Sequence, residues 1–370
     1  MTDAWRVPFQ TLTPGEDAEA VRNAIARVLE RGWFVLGPEV DAFEREFAAA
    51  CGVARAVGVG TGTDAIALAL TGLGIGRGDE VITTSVSAAY TGLAVLMAGA
   101  RPVFADVDPE RLTLAPAAVS AAITPRTAAI LPVHLYGQAA DMPALSAIAE
   151  RHDLAIIEDC CQAHLATCAG RPVGTFGAAA AFSFYPTKNL GAVGDGGAVV
   201  TGDVALADRL ARLRNGGQAD RYHHVEPGVN SRLDELQAAV LRERLPYLAR
   251  WTEARRRLAG RYDDALDDSP VRMLRRFDDG HVYHLLVVRS PHRDALQGHL
   301  KGRGIQTLIH YPIPLPRQPA FESVAPGICP AADDACSNIL SLPLHPALGD
   351  DEIAAVADAV RSFSPVGRPR

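Results

Sequence analysis

Lys188 heads the residues whose types and spacing could do chemistry. It lies in the run Ala181-Phe-Ser-Phe-Tyr-Pro-Thr-Lys-Asn-Leu-Gly-Ala-Val-Gly-Asp-Gly-Gly197. An alternating apolar strand with Phe182 and Phe184 breaks at Pro186. The lysine follows in a polar, glycine-rich turn, and a second strand, Gly197–Thr201, leaves it. An amine placed by rigid strands and walled by aromatic rings is poorly solvated, which lowers its pKa and frees it as a nucleophile. A single lysine in a hairpin loop is otherwise an ordinary surface residue, so the reading rests on two further stretches. In Leu154-Ala-Ile-Ile-Glu-Asp-Cys-Cys-Gln-Ala-His164 an apolar run ends in Glu158-Asp159, with Gln162 and His164 just beyond. Ligands of open α/β sheets sit at the carboxyl ends of strands. An aspartate there can pair with a cationic ring nitrogen; its competing role is a helix N-cap. In Val57-Gly-Val-Gly-Thr-Gly-Thr-Asp-Ala-Ile-Ala-Leu-Ala-Leu70 a short strand runs through glycines and threonines into an amphipathic helix, whose free amides suit a phosphate. No Gly-Lys-Ser/Thr follows, and Thr63 stands where Gly-x-Gly-x-x-Gly needs its last glycine, so neither nucleotide motif is present.

A phosphate cradle, an acid for a pyridinium and a Schiff-base lysine are the parts that a pyridoxal phosphate (PLP) site needs. With these motifs in this order, the chain resembles the DegT/DnrJ/EryC1/StrS family of PLP-dependent sugar aminotransferases. The resemblance runs from Gly32-Trp-Phe-Val-Leu-Gly-Pro-Glu-Val40 to Leu340-Ser-Leu-Pro-Leu-His-Pro346. It implies fold type I, the aspartate-aminotransferase type. It also implies PLP held on Lys188 as an internal aldimine, with Lys188 as the proton shuttle, Asp159 on the pyridinium nitrogen and Gln162 on the ring hydroxyl. His164 helps to position that edge. The phosphate is expected on the Gly62-Thr63-Asp64 amides, the Thr63 hydroxyl and Ser183. Asn230 is expected to reach the phosphate of a neighbouring subunit, which makes the active site composite and the protein a homodimer. The Trp33–Pro38 region lies near cofactor and partner in such proteins.

Two positions depart from the family pattern. An aromatic ring usually covers the cofactor where this chain has Ala88, in Ser85-Val-Ser-Ala-Ala-Tyr90, so either Ala88 or Tyr90 fills that role. Pro316 stands where relatives often carry histidine, which leaves His310 and Tyr311, together with His164 and Tyr90, as the substrate-side candidates, with packing at a strand end as the competing role of the first two. The dehydratase branch of the family replaces the lysine by histidine; Lys188 therefore favours transamination. The expected reaction moves an amino group from an amino acid, L-glutamate, to a keto group of a nucleotide-linked (dTDP- or similar) deoxysugar, 3-keto favoured over 4-keto. The alternatives are a cyclitol (scyllo-inosose type) aminotransferase and a catalytically silent regulatory protein.

The chain has 370 residues, 48% hydrophobic and 21% charged, which is ordinary globular composition with ample material for a core. The net charge of -7 gives no reason to expect nucleic acid or an anionic membrane as partner. There is neither a stretch of eighteen apolar residues nor a signal-peptide pattern at Met1-Thr-Asp-Ala-Trp-Arg6, so a cytoplasmic protein is expected. The six cysteines form no Cys-x-x-Cys pair and read as reduced thiols, Cys160 and Cys161 as small packing residues. His223-His224 has no third ligand at a useful spacing and reads as a solvated loop.

The elements that must position these groups alternate. Strands are expected at 56–59, 80–83, 101–105, 128–133, 154–158, 179–184 and 198–201, and helices at 14–31, 39–50, 63–73, 88–98, 116–122, 142–151 and 204–213. This predicts an α/β fold with a large, mostly parallel sheet covered on both faces. A long helix is expected from Asn230 past Pro246 to Leu266, with its arginines (250, 255, 256, 257 and 261) mostly exposed. Domain boundaries are placed at 1–268, for the N-terminal segment, the PLP-binding domain and the connecting helix, and at 269–370, for a smaller α+β domain. In the latter, strands are expected at 281–288 and 306–310, helices at 293–301 and 350–363, and loops at 311–319 and 324–330.

Overall fold

Apolar runs of five residues, each bounded by a turn, build the central sheet. A computed structural model describes residues 5–322 and 327–364. The strands are β1 (Arg55–Val59), β2 (Glu80–Thr84), β3 (Arg101–Ala105), β4 (Thr127–Leu131), β5 (Ala155–Asp159), β6 (Ala179–Ser183) and β7 (Gly197–Thr201). Their order is β1-β7-β6-β5-β4-β2-β3. Only β7 runs against its neighbours; from β6 to β3 the pairing is parallel. The carboxyl ends of β5 and β6, carrying Asp159 and Ser183, therefore lie side by side on one edge.

Side chains alternate across a strand, and both faces are covered by helices. One face holds Ile130, Ile156, Phe182 and Phe184 against Phe43 and Phe47, whose rings meet Phe184 edge-on at 5.2 Å. The other holds Leu131, Ile157, Ala181 and Val199 against Ile66, Leu70 and Leu210. The helices in chain order are α1 (Ala18–Arg31), α2 (Pro38–Cys51), α3 (Gly62–Gly72), α4 (Ala89–Met97), α5 (Pro116–Ala122), α6 (Met142–His152) and α7 (Val204–Leu213). Glu158 and Asp159, one residue apart, consequently face opposite layers.

Beyond α7 the structure departs from the expected elements in several places. Helix α8 begins at Glu235, not Asn230, because residues 230 and 231 pair with Asn215 and Arg214 in extended backbone. Pro246 lacks an N–H, and a single 3₁₀ turn, Leu245–Tyr247, separates α8 (Glu235–Arg244) from α9 (Leu248–Leu266). Arg255 is buried, not solvated, and donates to the carbonyls of Tyr283, His284 and Leu344. Helix α1 starts at Ala18 because Asp17 spends its carboxylate on Gly15 N and Arg244, outside the helix.

The small unit carries β8 (Arg272–Met273), β9 (Leu286–Arg289) and β10 (Ile339–Leu342), with helices α10 (Arg293–Lys301), α11 (Pro330–Asn338) and α12 (Asp350–Arg361). The expected strand at 281–288 shrinks to Leu286–Arg289, because Val282 and Leu285 instead bond Gly137 and Tyr136 of the large sheet's loops. The expected strand at 306–310 is a single bridge between Leu308 and Ser341. Helix α11 and strand β10 follow the loop expected at 324–330, of which residues 324–326 lie outside the described residues. Leu258, Tyr262 and Leu266 of α9 pack with Leu286, Leu340 and Val356. Among the described residues no helix is long and apolar enough to cross a membrane.

Candidate active site

Strand β6 ends at Ser183, and the chain then folds over itself to present Lys188. Lys188 N donates to Tyr185 O (2.8 Å) and Ala192 N to Phe184 O (2.7 Å). A Cβ on Gly191 would meet Pro186 O at 2.5 Å, so only glycine permits this return. The loop is held from two sides. Gln10 Nε2 donates to Thr187 O (2.8 Å), and buried Asn189 joins Val282 O and the His284 ring. Lys188 itself is partly buried, with no side-chain hydrogen bond among the described residues. Burial lowers its pKa, while Cys161 and the Asp159 carboxylate pull the other way.

Asp159 is buried at the end of β5 and caps no helix. Its Oδ1 accepts from Cys161 N (3.1 Å) and its Oδ2 from Thr91 Oγ1 (2.8 Å), and Thr91 is linked to Ser87 at 3.1 Å. Glu158, on the other face, is saturated. Oε1 accepts from the amides of Phe176 and Gly177, and Oε2 from Gly174 N and His134 Nε2. His134 Nδ1 accepts from Ala140 N (3.1 Å), which fixes the ring as an Nε2–H donor. Cys160 lies beside this pair, but a set whose lone pairs are already spent on backbone amides is a structural knot, not a metal site.

Gln162 is held at both ends of its amide: Oε1 accepts from Tyr136 N (2.7 Å), and Nε2 donates to Tyr311 Oη (3.0 Å). Burial pushes the Tyr311 phenol pKa up. His310 Nδ1 pairs with Ser341 Oγ (2.9 Å), and burial and then Lys188 lower its pKa to about 4. The Tyr136 hydroxyl donates to His310 O, which ties the two units together. His164 does not face the substrate side. It is enclosed between the rings of Phe182 and Phe184, and its Nε2 lies 2.9 Å from Ser183 O. Burial lowers its pKa to about 3, so it acts as a neutral brace for the strand end.

Helix α3 opens toward the same edge. Thr61 Oγ1 accepts from Asp64 N (3.0 Å). Contrary to the sequence expectation, the Asp64 amide is therefore spent, and Gly62 and Thr63 supply the helix-end donors. The Asp64 carboxylate accepts from Ser231 Oγ (2.8 Å), which in turn accepts from Gly60 N. A Cβ on Gly62 would lie 2.7 Å from Ser183 Cβ and 2.8 Å from Cys161 Sγ, so Gly62 is what lets the helix end approach the sheet. Ala88 immediately precedes α4, and Tyr90 is 64% exposed. Asn230 is exposed on this chain, its backbone bridged to Asn215.

The structure thus brings Gly62, Cys161, Ser183, Asp159 and Lys188 together at one sheet edge, with Gln162 and Tyr311 beside them. Sequence reasoning missed Thr91, Ser231, Thr61 and Tyr136. Thr61 had a readable signal, since it stands three residues before Asp64 at a strand-to-helix turn. Thr91 had none, because only the packing of α4 turns it toward Asp159. The set fits PLP: a glycine-only cradle beside a helix N-terminus, a buried carboxylate with lone pairs to spare, and an amine of lowered basicity with no hydrogen-bond partner among the described residues.

Comparison with known proteins agrees. Residues 16–361 match the DegT/DnrJ/EryC1/StrS aminotransferase family. The chain is 50% identical over 365 residues to the dTDP-3-amino-3,4,6-trideoxy-alpha-D-glucose transaminase of Streptomyces venezuelae, covering 97% of this chain and 96% of that one. It is 51% identical to the erythromycin biosynthesis sensory transduction protein EryC1 of Saccharopolyspora erythraea, covering 92% and 95%. The crystal structure of S. venezuelae DesV in complex with a ketimine intermediate superposes with a TM-score of 0.94 at 50% identity, covering 96% of this chain and 98% of that one. With motif, fold and site concordant, the chain belongs to the DegT/DnrJ/EryC1/StrS aminotransferase family and is a PLP-dependent aminotransferase.

Proposed function

We propose that this enzyme moves an amino group from L-glutamate to the 3-keto carbon of a nucleotide-linked deoxysugar, with dTDP as the carrier. The observation that carries the reading is the free amine of Lys188 beside Asp159, in a chain half identical to a transaminase of a dTDP-3-amino sugar. EryC1's name suggests signal transduction, but a silent regulator has no chemical need for Lys188, Asp159 and Gln162 together.

PLP, when bound, supplies the electron sink that stabilises the charge left as a proton leaves the donor carbon. Lys188 would anchor it and, as a weakly basic amine, would take up and return that proton. Asp159 would hold the ring nitrogen in its charged form, with Thr91 and Cys161 N fixing the carboxylate. Gly62, Thr63 and Ser183 would hold the phosphate. Gln162, itself held by Tyr136 and Tyr311, would meet the ring hydroxyl, and Ala88 would cover the ring in place of the exposed Tyr90. The protein acts as a homodimer in which Asn230 reaches the partner's phosphate. Exposed Tyr222, Val225 and Val229 beside Asn230 support an interface there.

The test is the visible spectrum of PLP-loaded protein before and after L-glutamate. Loss of the lysine-bound PLP band and growth of the aminated cofactor's band are expected; an unchanged spectrum overturns the donor assignment. Lys188→Ala should abolish the band before any donor is added. Aminated enzyme should then turn over dTDP-linked 3-keto sugar faster than its 4-keto isomer, and the opposite preference would reverse the carbon assignment.

A further inference from the structure

A second opening lies beside Lys188, bounded by the N-terminal segment from Gln10 to Asp17, the start of α9, and the turn after β10. It measures about 160 Å³, below the range of drug-sized pockets and suited to a small ligand only. Its charge is lopsided. Lys188, Arg244 and Arg255 line it against one carboxylate, Asp17, and that carboxylate is spent on Arg244 at 2.7 Å. Arg255 is 4% exposed and bonds only carbonyl oxygens, through Nη1. Its Nε has no partner, and among the described residues no carboxylate pairs with it. His345, which also lines the opening, is 5% exposed, and neither of its ring nitrogens has a partner. Buried polar groups are normally satisfied, and a buried cation without a counter-charge is costly. Two adjacent buried groups that both keep unpartnered nitrogens, at the wall of a net-positive opening, call for an anion that hydrogen-bonds.

We propose that this opening is a carboxylate subsite in which Arg255 and His345 hold a carboxylate of the amino-acid donor, or of the keto acid it becomes, while the reacting end lies toward Lys188. The inference rests on the proposed aminotransfer from an amino acid and names the residues that select it. The diphosphate of the sugar nucleotide is the other anion the reaction supplies. The opening favours the carboxylate because Arg255 is the guanidinium of its lining that has no carboxylate partner among the described residues, and because Lys188, where the amino nitrogen must arrive, shares its wall.

The test is calorimetric binding of 2-oxoglutarate to the PLP-loaded enzyme, with which it cannot exchange nitrogen, and of pyrophosphate in parallel. Wild-type protein should bind 2-oxoglutarate. Arg255→Gln should weaken it roughly 10- to 100-fold, the range for a hydrogen bond to a charged group. His345→Leu, which breaks no hydrogen bond of the ring and keeps an apolar group of similar volume there, should fold and should weaken it roughly 10-fold. Pyrophosphate binding should be unchanged in both variants. Failure of wild-type protein to bind 2-oxoglutarate, equal binding by the His345 variant, or a selective loss of pyrophosphate would each overturn the proposal. Because the readout is binding, it stays separate from the glutamate half-reaction: an enzyme that fails with glutamate but binds 2-oxoglutarate through Arg255 would sink the donor assignment and leave the subsite standing.

Discussion

Glu158 and Asp159 are adjacent, both buried and both carboxylates, yet they differ in what is left unspent. Glu158 faces the Phe182 layer and receives four donors, two on each oxygen. Asp159 faces the α3 layer and receives two, one on each oxygen. A saturated carboxylate is structure; one with lone pairs to spare beside a free amine is equipment. Burial alone does not separate the two, and neither does residue type. The strand's alternation decides which acid meets the loop at 174–177 and which meets the open edge of the sheet.

The largest effects should come from exchanging these roles. Asp159→Asn should lower the rate of amino transfer roughly 10²- to 10³-fold, the cost of removing one preorganised electrostatic partner. Its cofactor-free stability should move by less than about 1 kcal/mol, because the Thr91 hydroxyl can turn back toward Ser87. Glu158→Gln should do the reverse. An amide NH₂ set against backbone N–H donors leaves buried groups unpaired and should cost about 3 kcal/mol, read from urea midpoints, with turnover of the surviving folded enzyme near normal. If Glu158→Gln folds normally while losing turnover, the division between the two acids is wrong.

A smaller effect probes the cradle on Asp159's side. Gly62→Ala should cost about 1–3 kcal/mol by overpacking and weaken PLP binding at least tenfold in a fluorescence titration. Its Cβ has no room between Ser183 and Cys161. Gly202→Ala, where a Cβ meets nothing within 4 Å, is the control and should bind PLP normally. Equal PLP affinity in the two variants would remove Gly62 from the site.

The sheet was legible because its strands are short apolar runs with clear turns, and six of the seven strands came within one residue at both ends. The meeting of Lys188, Asp159 and Ser183 at one sheet edge was legible because strand ends and a glycine-rich turn converge there. Their supports were not. Thr91 reaches Asp159 from 68 residues away, and the Ser231 contact with Asp64 spans 167; no local pattern encodes either. The small unit failed where local pattern was overruled. Residues 281–285 have a strand-like sequence, but their amides and carbonyls go to the loop at 136–137 and to arginine side chains of α9. Arg255 misled because arginines along a helix default to solvent, and only three inward-facing carbonyls show otherwise.

The mildest prediction concerns a group on Glu158's side of the sheet. His164 is buried as a neutral ring with its folded pKa lowered to about 3, chiefly by desolvation. In the unfolded chain it titrates near 6.5. Between those values the unfolded state binds a proton that the folded state refuses, so this group's contribution is intact above pH 6.5 and is lost as the pH falls from 6.5 toward 3. Between pH 7.5 and pH 5 the loss from this residue should be about 2 kcal/mol. His164→Asn can still donate to Ser183 O but cannot titrate. It should be less stable than wild type at pH 7.5, because it fills the space between Phe182 and Phe184 poorly, and the gap should narrow by about 2 kcal/mol at pH 5. Urea unfolding of cofactor-free protein at the two pH values measures this. Parallel losses would mean that His164 can take up a proton in the folded protein. Its enclosure by the two rings would then be looser than the structure shows, and Glu158's side of the strand would be less inert than its hydrogen bonds imply.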